Sequence, residues 1–260
     1  MNWTEWLEPA LGALLILVAA SLMFFFSLPQ ERGQARARAR SRVVLRPMRA
    51  MQRLRRAIGL AVEDGSRLHV SIGKSSIISP TNASALVGFS TLERIGTLSS
   101  LSDRPPVATS GDGTLALLSQ DTLRASYRLS NNVEQYDPNQ ARLTGPTPFS
   151  YVAGAIPVVR DERVSTNIFV GNFGPEVALM VDAAEQEGAF TLAASDALPA
   201  QAALYATASE PLIGEELFAI PAYMQAGPIH QASLRTQDIL RWFVVAAAVA
   251  GVVLAILGII

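Results

Sequence analysis

The stretch "STNIFVGNFGPEVALMVDAAEQEGAFTLAAS", residues 165–195, decides the fold. Both ends are short runs rich in β-branched and aromatic residues, and the middle, entered through a Gly-Pro turn, repeats apolar residues at helical steps. This is a compact strand, helix, strand unit, and such units build a mainly parallel sheet with helices against it.

The same alternation continues outward. "RLHVSIG" (67–73) reads as a strand, and residues 79–102 read as a helix with Ser79 as its cap and Pro80 at its first position. "PVATS" (106–110) is a second strand, followed by the turn "GDGT" and the helix "LALLSQDTLRASYRLS". After a connector at 137–148, "FSYVAGAIPVV" (149–159) reads as one or two strands; further helices are expected at 197–208 and 211–225.

Two charge-free runs bracket this body. Ala10–Leu28 and Trp242–Ile260 are nineteen residues each, about 28 Å as helices, close to the hydrocarbon thickness of a bilayer. All three tryptophans, Trp3, Trp6 and Trp242, fall at the ends of these runs, where an amphipathic indole prefers the headgroup layer. A helix starting near Ile229 is expected to run unbroken into the second span.

Charge is segregated along the chain. Residues 32–56 hold ten arginines and no acid, whereas residues 57–235 hold eighteen Asp and Glu against ten Lys and Arg. Positive charge beside a span stays cytoplasmic. The expected topology in the cell (inner) membrane therefore has both termini outside and the central domain in the cytoplasm. The side chains expected at the anionic inner leaflet are Arg36, Arg38, Arg40, Arg42, Arg46, Arg49, Arg53, Arg55 and Arg56. Met48, Met51, Leu54 and Ile58 recur at steps of three and four, the pattern of a helix lying in the membrane interface; the alternative packs Met51 and Ile58 on the soluble domain or a neighbouring subunit. Nucleic acid is not the expected partner, since lipid competes for the same charges and no aromatic residues interleave with them.

The expected fold class is thus α/β: a mainly parallel or mixed sheet domain flanked by N- and C-terminal transmembrane helices. Its segments are a transmembrane helix at 1–28, an Arg-rich juxtamembrane segment with an amphipathic helix at 29–62, a cytoplasmic α/β domain at 63–228, and a long helix at 229–260 continuing into the second span.

Chemical motifs are sparse. Without cysteine there is no disulfide, zinc-thiolate site, iron-sulfur ligation or thiol nucleophile. "SIGKSS" (71–76) ends like a phosphate loop, but Leu68 stands where its first glycine belongs, so Lys74, the sole lysine, is an ordinary strand-end residue. Two strand-to-helix turns remain as a candidate anion site: Gly111, Asp112 and Gly113, and Gly171, Asn172 and Gly174. Glycines let a ligand approach the backbone and helix-start amides attract anions, although Asp112 and Glu176 oppose a phosphate and tight turns use glycine anyway. Glu210, Glu215 and Glu216 lack the spacing and histidine partners of a metal site, and a solvated helix face accounts for them. Neither His69 nor His230 has a nucleophile elbow nearby. No catalytic residue, cofactor or metal ligand is therefore expected. In the second span Ala247, Gly251 and Ala255 recur every fourth residue, a spacing suited to helix association.

Three stretches, "ISPTNASALVGFSTLERI" (78–95), "NFGPEVALMVDAAEQEGAFTLAASDALPAQAALYATASEPLIGEELFA" (172–219) and "YMQAGPIHQASLRTQDILRW" (223–242), resemble a bacterial integral-membrane family defined only as a domain of unknown function. The resemblance implies two spans around a cytoplasmic α/β domain and transfers no catalytic residue, substrate or cofactor. The expected role is a non-enzymatic membrane scaffold or assembly protein, homo-oligomeric or joined to other membrane subunits. The alternatives are a membrane-anchored sensor taking an anionic metabolite or nucleotide at the glycine turns, and an accessory subunit of a larger membrane complex.

Overall fold

A computed structural model describes residues 3–27, 45–79, 83–100 and 102–256. The chain divides into two compact units, residues 46–226 and residues 1–45 with 227–260.

The unit 46–226 is built on six strands: β1 (Arg67–Gly73), β2 (Val107–Ser110), β3 (Ala141–Leu143), β4 (Val164–Asn172), β5 (Phe190–Ser195) and β6 (Glu210–Leu212). They form one sheet in the order β3-β2-β1-β4-β5-β6, with every neighbouring pair parallel. A parallel sheet needs cover on both faces, and the four inner strands β2, β1, β4 and β5 are accordingly buried almost throughout. The connections β1 to β2 and β2 to β3 carry α3 (Ala83–Ser99) and α4 (Gly113–Leu129); the three later connections carry α5 (Pro148–Asp161), α6 (Val177–Gln186) and α7 (Leu198–Thr207).

Alternating strand residues separate two cores. Val70, Ile72, Ile168, Val170 and Leu192 join Leu92 and Ile95 of α3 and Leu115 and Leu123 of α4. On the other face Phe169 and Ala193 join Tyr151 of α5, Met180 of α6 and Leu204 of α7. This division leaves the first face uncovered over β5 and β6. Two helices outside the crossovers fill it: α2 (Arg49–Glu63) and α8 (Glu216–Tyr223). Helix α2 lies across β1, β4, β5 and β6. Its residues Ala50, Met51, Leu54, Ile58 and Ala61 are buried there, each large side chain contributing about 1.5–3 kcal/mol of apolar burial. The amphipathic pattern thus encodes a lid for the sheet, and the stripe that resembled a bilayer-facing surface is core. Its arginines stay outside: Arg53 pairs with Glu210, and Arg55 donates to the Tyr223 carbonyl.

Three segments correct the sequence reading. "FSYVAGAIPVV" is the helix α5, not strands. Thr147 caps it in a reciprocal capping box with Ser150, and Pro148 opens it. Buried Tyr151, Val152, Ala155, Val158 and Val159 follow helical spacing despite the β-branched content. Pro157 is tolerated because the carbonyl it deprives, that of Ala153, lies on the exposed side. Residues Glu210–Leu212, assigned to turn and helix, form β6, and Ala141–Leu143 in the connector forms β3. The helix expected over 79–102 is α3, which starts at Ala83, and Pro80, expected at its first position, lies outside the described residues.

In the other unit α1 (Trp3–Ser27) and α9 (Pro228–Ile256) lie alongside each other. Helix α9 is long and apolar enough to cross a membrane, while the apolar part of α1, Gly12–Ser27, is shorter. The continuous helix expected from near Ile229 is present as α9. Ala247, Gly251 and Ala255 lie on its exposed apolar part, and among the described residues nothing lies within 4 Å of a Cβ built on Gly251.

Candidate functional site

In a doubly wound sheet the crevice for a ligand opens at the carboxyl ends of the two strands where the winding reverses. Here these are β1 and β4. Both glycine turns flank that point, the 111–113 turn after β2 and the 171–174 turn at the end of β4, and Lys74 lies between them.

The strand ends are drawn tightly together. The Gly111 amide donates to the Gly73 carbonyl at 2.8 Å, and the Lys74 amide donates to the Asn172 carbonyl at 3.1 Å. A Cβ on Gly171 would stand 1.9 Å from the Ile72 carbonyl oxygen, and one on Gly73, whose φ is +86°, would stand 2.3 Å from the Asn172 oxygen. Glycine at these two positions is a condition for strand contact. Gly113, by contrast, begins α4 with open space around it.

The polar groups of the crevice satisfy one another. Asp112 caps α4, accepting from the Thr114 and Leu115 amides at 2.9 and 3.2 Å. Lys74 Nζ lies 2.5 Å from Glu176 Oε1, an oxygen that also accepts from the Gly174 amide at 3.3 Å. Burial pushes the Glu176 carboxyl up, but the bonds from Lys74 and the backbone outweigh it and hold the group below its ordinary range. Asn172 Nδ2 donates to Asp196 Oδ1 at 2.8 Å. The side chains of Asp112 and Glu176 thus occupy amides that an incoming anion would use. The sequence reading treated Lys74 as a bare strand-end residue; its pairing with Glu176, 102 residues away, has no local signal.

Below the crevice, polar residues run through the second face of the sheet. His69 Nδ1 lies 2.8 Å from Asn167 Oδ1 and His69 Nε2 lies 2.8 Å from Thr109 Oγ1. Ser71 bonds the Tyr151 hydroxyl, and the His69 ring stands edge-on to Phe169 with centroids 5.8 Å apart. His69 is fully buried, and burial drives its pKa down to about 4 against the weaker pull of Asn167. It is therefore a neutral, doubly hydrogen-bonded core residue at physiological pH. The available signal was polar residues inside strands: His69 and Ser71 two apart in β1, Thr109 in β2 and Asn167 in β4.

Residues 46 and 224, close to the two ends of this unit, are tied to its helices. The Tyr223 hydroxyl donates to the Arg46 carbonyl at 2.6 Å, and Arg94 Nε donates to the Met224 carbonyl at 3.0 Å. A groove of about 460 Å³ lies beside them, lined by Arg55, Ile58, Val62, Arg94, Leu98 and Met224. Arg46, Arg49, Arg53, Arg55 and Arg56 are all exposed, whereas Arg36, Arg38, Arg40 and Arg42 lie outside the described residues. Glu210 belongs to β6 and Glu216 begins α8. Among the described residues no cluster of three or more His, Asp or Glu could hold a metal ion.

Residues 8–260 match the family model described as "Domain of unknown function (DUF6754)", nearly the whole chain, and the chain belongs to that family. No curated protein and no solved structure matches it.

Proposed function

We propose that this protein is a non-enzymatic integral membrane scaffold, anchored by two spans, that presents a rigid α/β unit in the cytoplasm and works as a homo-oligomer. The observation that carries this reading is the closed crevice. Where a doubly wound enzyme or sensor keeps amides open for phosphate, this chain fills them with Asp112 and Glu176 and neutralises its one lysine. The 29-residue helix α9 supports anchoring. A bilayer attracts the exposed arginines of α2, each by about 1 kcal/mol next to an anionic leaflet. Small residues at Ala247, Gly251 and Ala255 offer a close-approach surface in the span.

Light scattering of the full chain in mild detergent tests the assembly, and a single monomeric mass across a hundredfold concentration range refutes it. Because the chain lacks cysteine, Glu187→Cys provides one label site for the topology. An impermeant maleimide must fail to reach it in intact spheroplasts and succeed after lysis.

One observation favours a second reading, a sensor for an anionic metabolite: both glycine turns and Lys74 converge on the β1/β4 crevice. Ligand entry would require exchange of Glu176 for the anion. A thermal-shift screen of nucleotides and phosphorylated metabolites separates the two, since a ligand at a hundred times its Kd adds about 2.7 kcal/mol.

A further inference from the structure

The groove beside Met224 is formed by one face of α2, part of α3 and the turn that ends α8. Along α2 its residues are Arg55, Ile58, Gly59, Val62 and Glu63, at steps of three and four, so a single helix face lines it. The middle of the groove is apolar. Ile58 and Met224 are buried at its floor, and α3 adds Leu98, which is 43% exposed. Gly59 leaves room above them, since among the described residues nothing lies within 4 Å of a Cβ built there.

The charged groups are placed unevenly. Arg55 donates to the Tyr223 carbonyl and Arg94 Nε to the Met224 carbonyl at 3.0 Å, so two consecutive carbonyls hold both guanidinium groups at the α8 end. An arginine has five N–H donors, and among the described residues the remaining donors of these two have no acceptor. The carbonyl end of a helix counts for about half a negative charge, against two full positive charges here. Glu63 also lines the groove, but along α2 it is about 12 Å from Arg55 by helical rise. That exceeds the screening length of about 8 Å at physiological salt. Glu93, next to Arg94 in sequence, is exposed and does not line the groove. Gln225 follows directly on the two carbonyls and has a φ of +59°, the left-handed region where a helix end ordinarily places glycine. The chain keeps a long amide there, and it lines the groove.

We infer that this groove is a binding site for an anionic amphiphile, a carboxylate or phosphate carried on an acyl chain. The head pairs with Arg55 and Arg94 beside Gln225, and the chain lies over Ile58 and Gly59 toward Val62. Guanidinium groups hold either head through parallel N–H bonds. The volume of about 460 Å³ is that of a small-molecule site, roughly 300–1,000 Å³, whereas a stable protein interface covers about 800 Å² on each partner. The chain's own segment 32–46, with six arginines, carries the sign of charge that the head end repels. The groove shares no residue with the β1/β4 crevice, so the inference goes beyond both readings of the function and stands if either fails.

The test uses the full chain in phosphatidylcholine nanodiscs and a photoreactive dodecanoate, beside its alcohol-headed counterpart and a phosphatidylglycerol carrying the same photoreactive chain. Saturable adducts within residues 55–63 and 94–98 are expected from an acidic probe, with affinity at least tenfold above that of the alcohol, which lacks the charge-assisted bonds. Labelling by dodecanoate alone points to a free acid and labelling by phosphatidylglycerol to a membrane lipid, and either upholds the inference. Arg55→Gln/Arg94→Gln should weaken binding at least tenfold. Should that variant unfold, Gly59→Leu decides: it enters open space, favours the helix and fills the groove, so the adducts should vanish from a folded chain. Leu129→Ser, on the exposed side of α4, should label like the parent. Equal labelling by acid and alcohol, adducts confined to α1 and α9, no saturable adduct from either acidic probe, or unchanged labelling in Gly59→Leu overturns the inference.

Discussion

Acidification reads out the buried histidine. Folded His69 has a pKa of about 4, and the unfolded chain has the ordinary value near 6.5. Above pH 6.5 neither state is protonated there, and the contribution to stability is complete. As pH falls below 6.5 the unfolded chain takes up a proton that the folded chain refuses, so stability drops until about pH 4, where both states are protonated. At about 1.4 kcal/mol per pH unit, the loss is about 2 kcal/mol at pH 5 and about 3 kcal/mol at pH 4. All three tryptophans lie outside residues 46–226, so tryptophan fluorescence does not report on this unit. Hydrogen exchange of β1 and β4 peptides in the detergent-solubilised full chain does, with protection referred to intrinsic rates at each pH. His69→Gln keeps a hydrogen-bonding side chain and removes the titration. It should be less stable at pH 7 and lose about 2 kcal/mol less than the parent between pH 7 and pH 5. An equal loss in both proteins refutes the linkage.

Further outcomes follow from the packing. Leu54→Ala should cost about 2–5 kcal/mol as a core truncation, while Leu60→Ala on the exposed side of α2 stays within about 0.5 kcal/mol; equal effects in urea-induced unfolding would return the stripe of α2 to the bilayer. Gly171→Ala, forced against the Ile72 carbonyl, should cost more than about 3 kcal/mol or abolish folding, read as loss of protease resistance, whereas Gly113→Ala is tolerated. Lys74→Met leaves Glu176 buried without its cation and should destabilise by about 2–3 kcal/mol. The double variant with Glu176→Gln should recover part of that loss in thermal melts, and full additivity would show that the pair is not coupled.

The strongest elements were legible locally. β1 occupies 67–73 as its alternating residues indicate, and the unit at 165–195 is β4, α6 and β5. The valines Val152, Val158 and Val159 of α5 score as strand residues one by one and Pro157 argues against a helix interior, while the capping box at Thr147 and Ser150 and the helical spacing of the buried positions outweigh them. β3 and β6, three residues each, are too short for any periodicity to register. At the candidate site both glycine turns were visible, but the pairing of Lys74 with Glu176 was not, since it joins residues that only the sheet order brings together.

By itself the sequence determined what local physics dictates: a C-terminal apolar run long enough to cross a membrane, an amphipathic helix preceded by six arginines, and the alternation of strands and helices that makes a parallel α/β sheet. It left open which surface the stripe Met51, Leu54 and Ile58 covers, because burial in lipid and burial on a sheet select the same residues at the same spacing. The tertiary structure decided that, for a topological reason. With α5, α6 and α7 all on one face, the other face lay bare over β5 and β6, and α2 with α8 supplied the apolar surface that closed it.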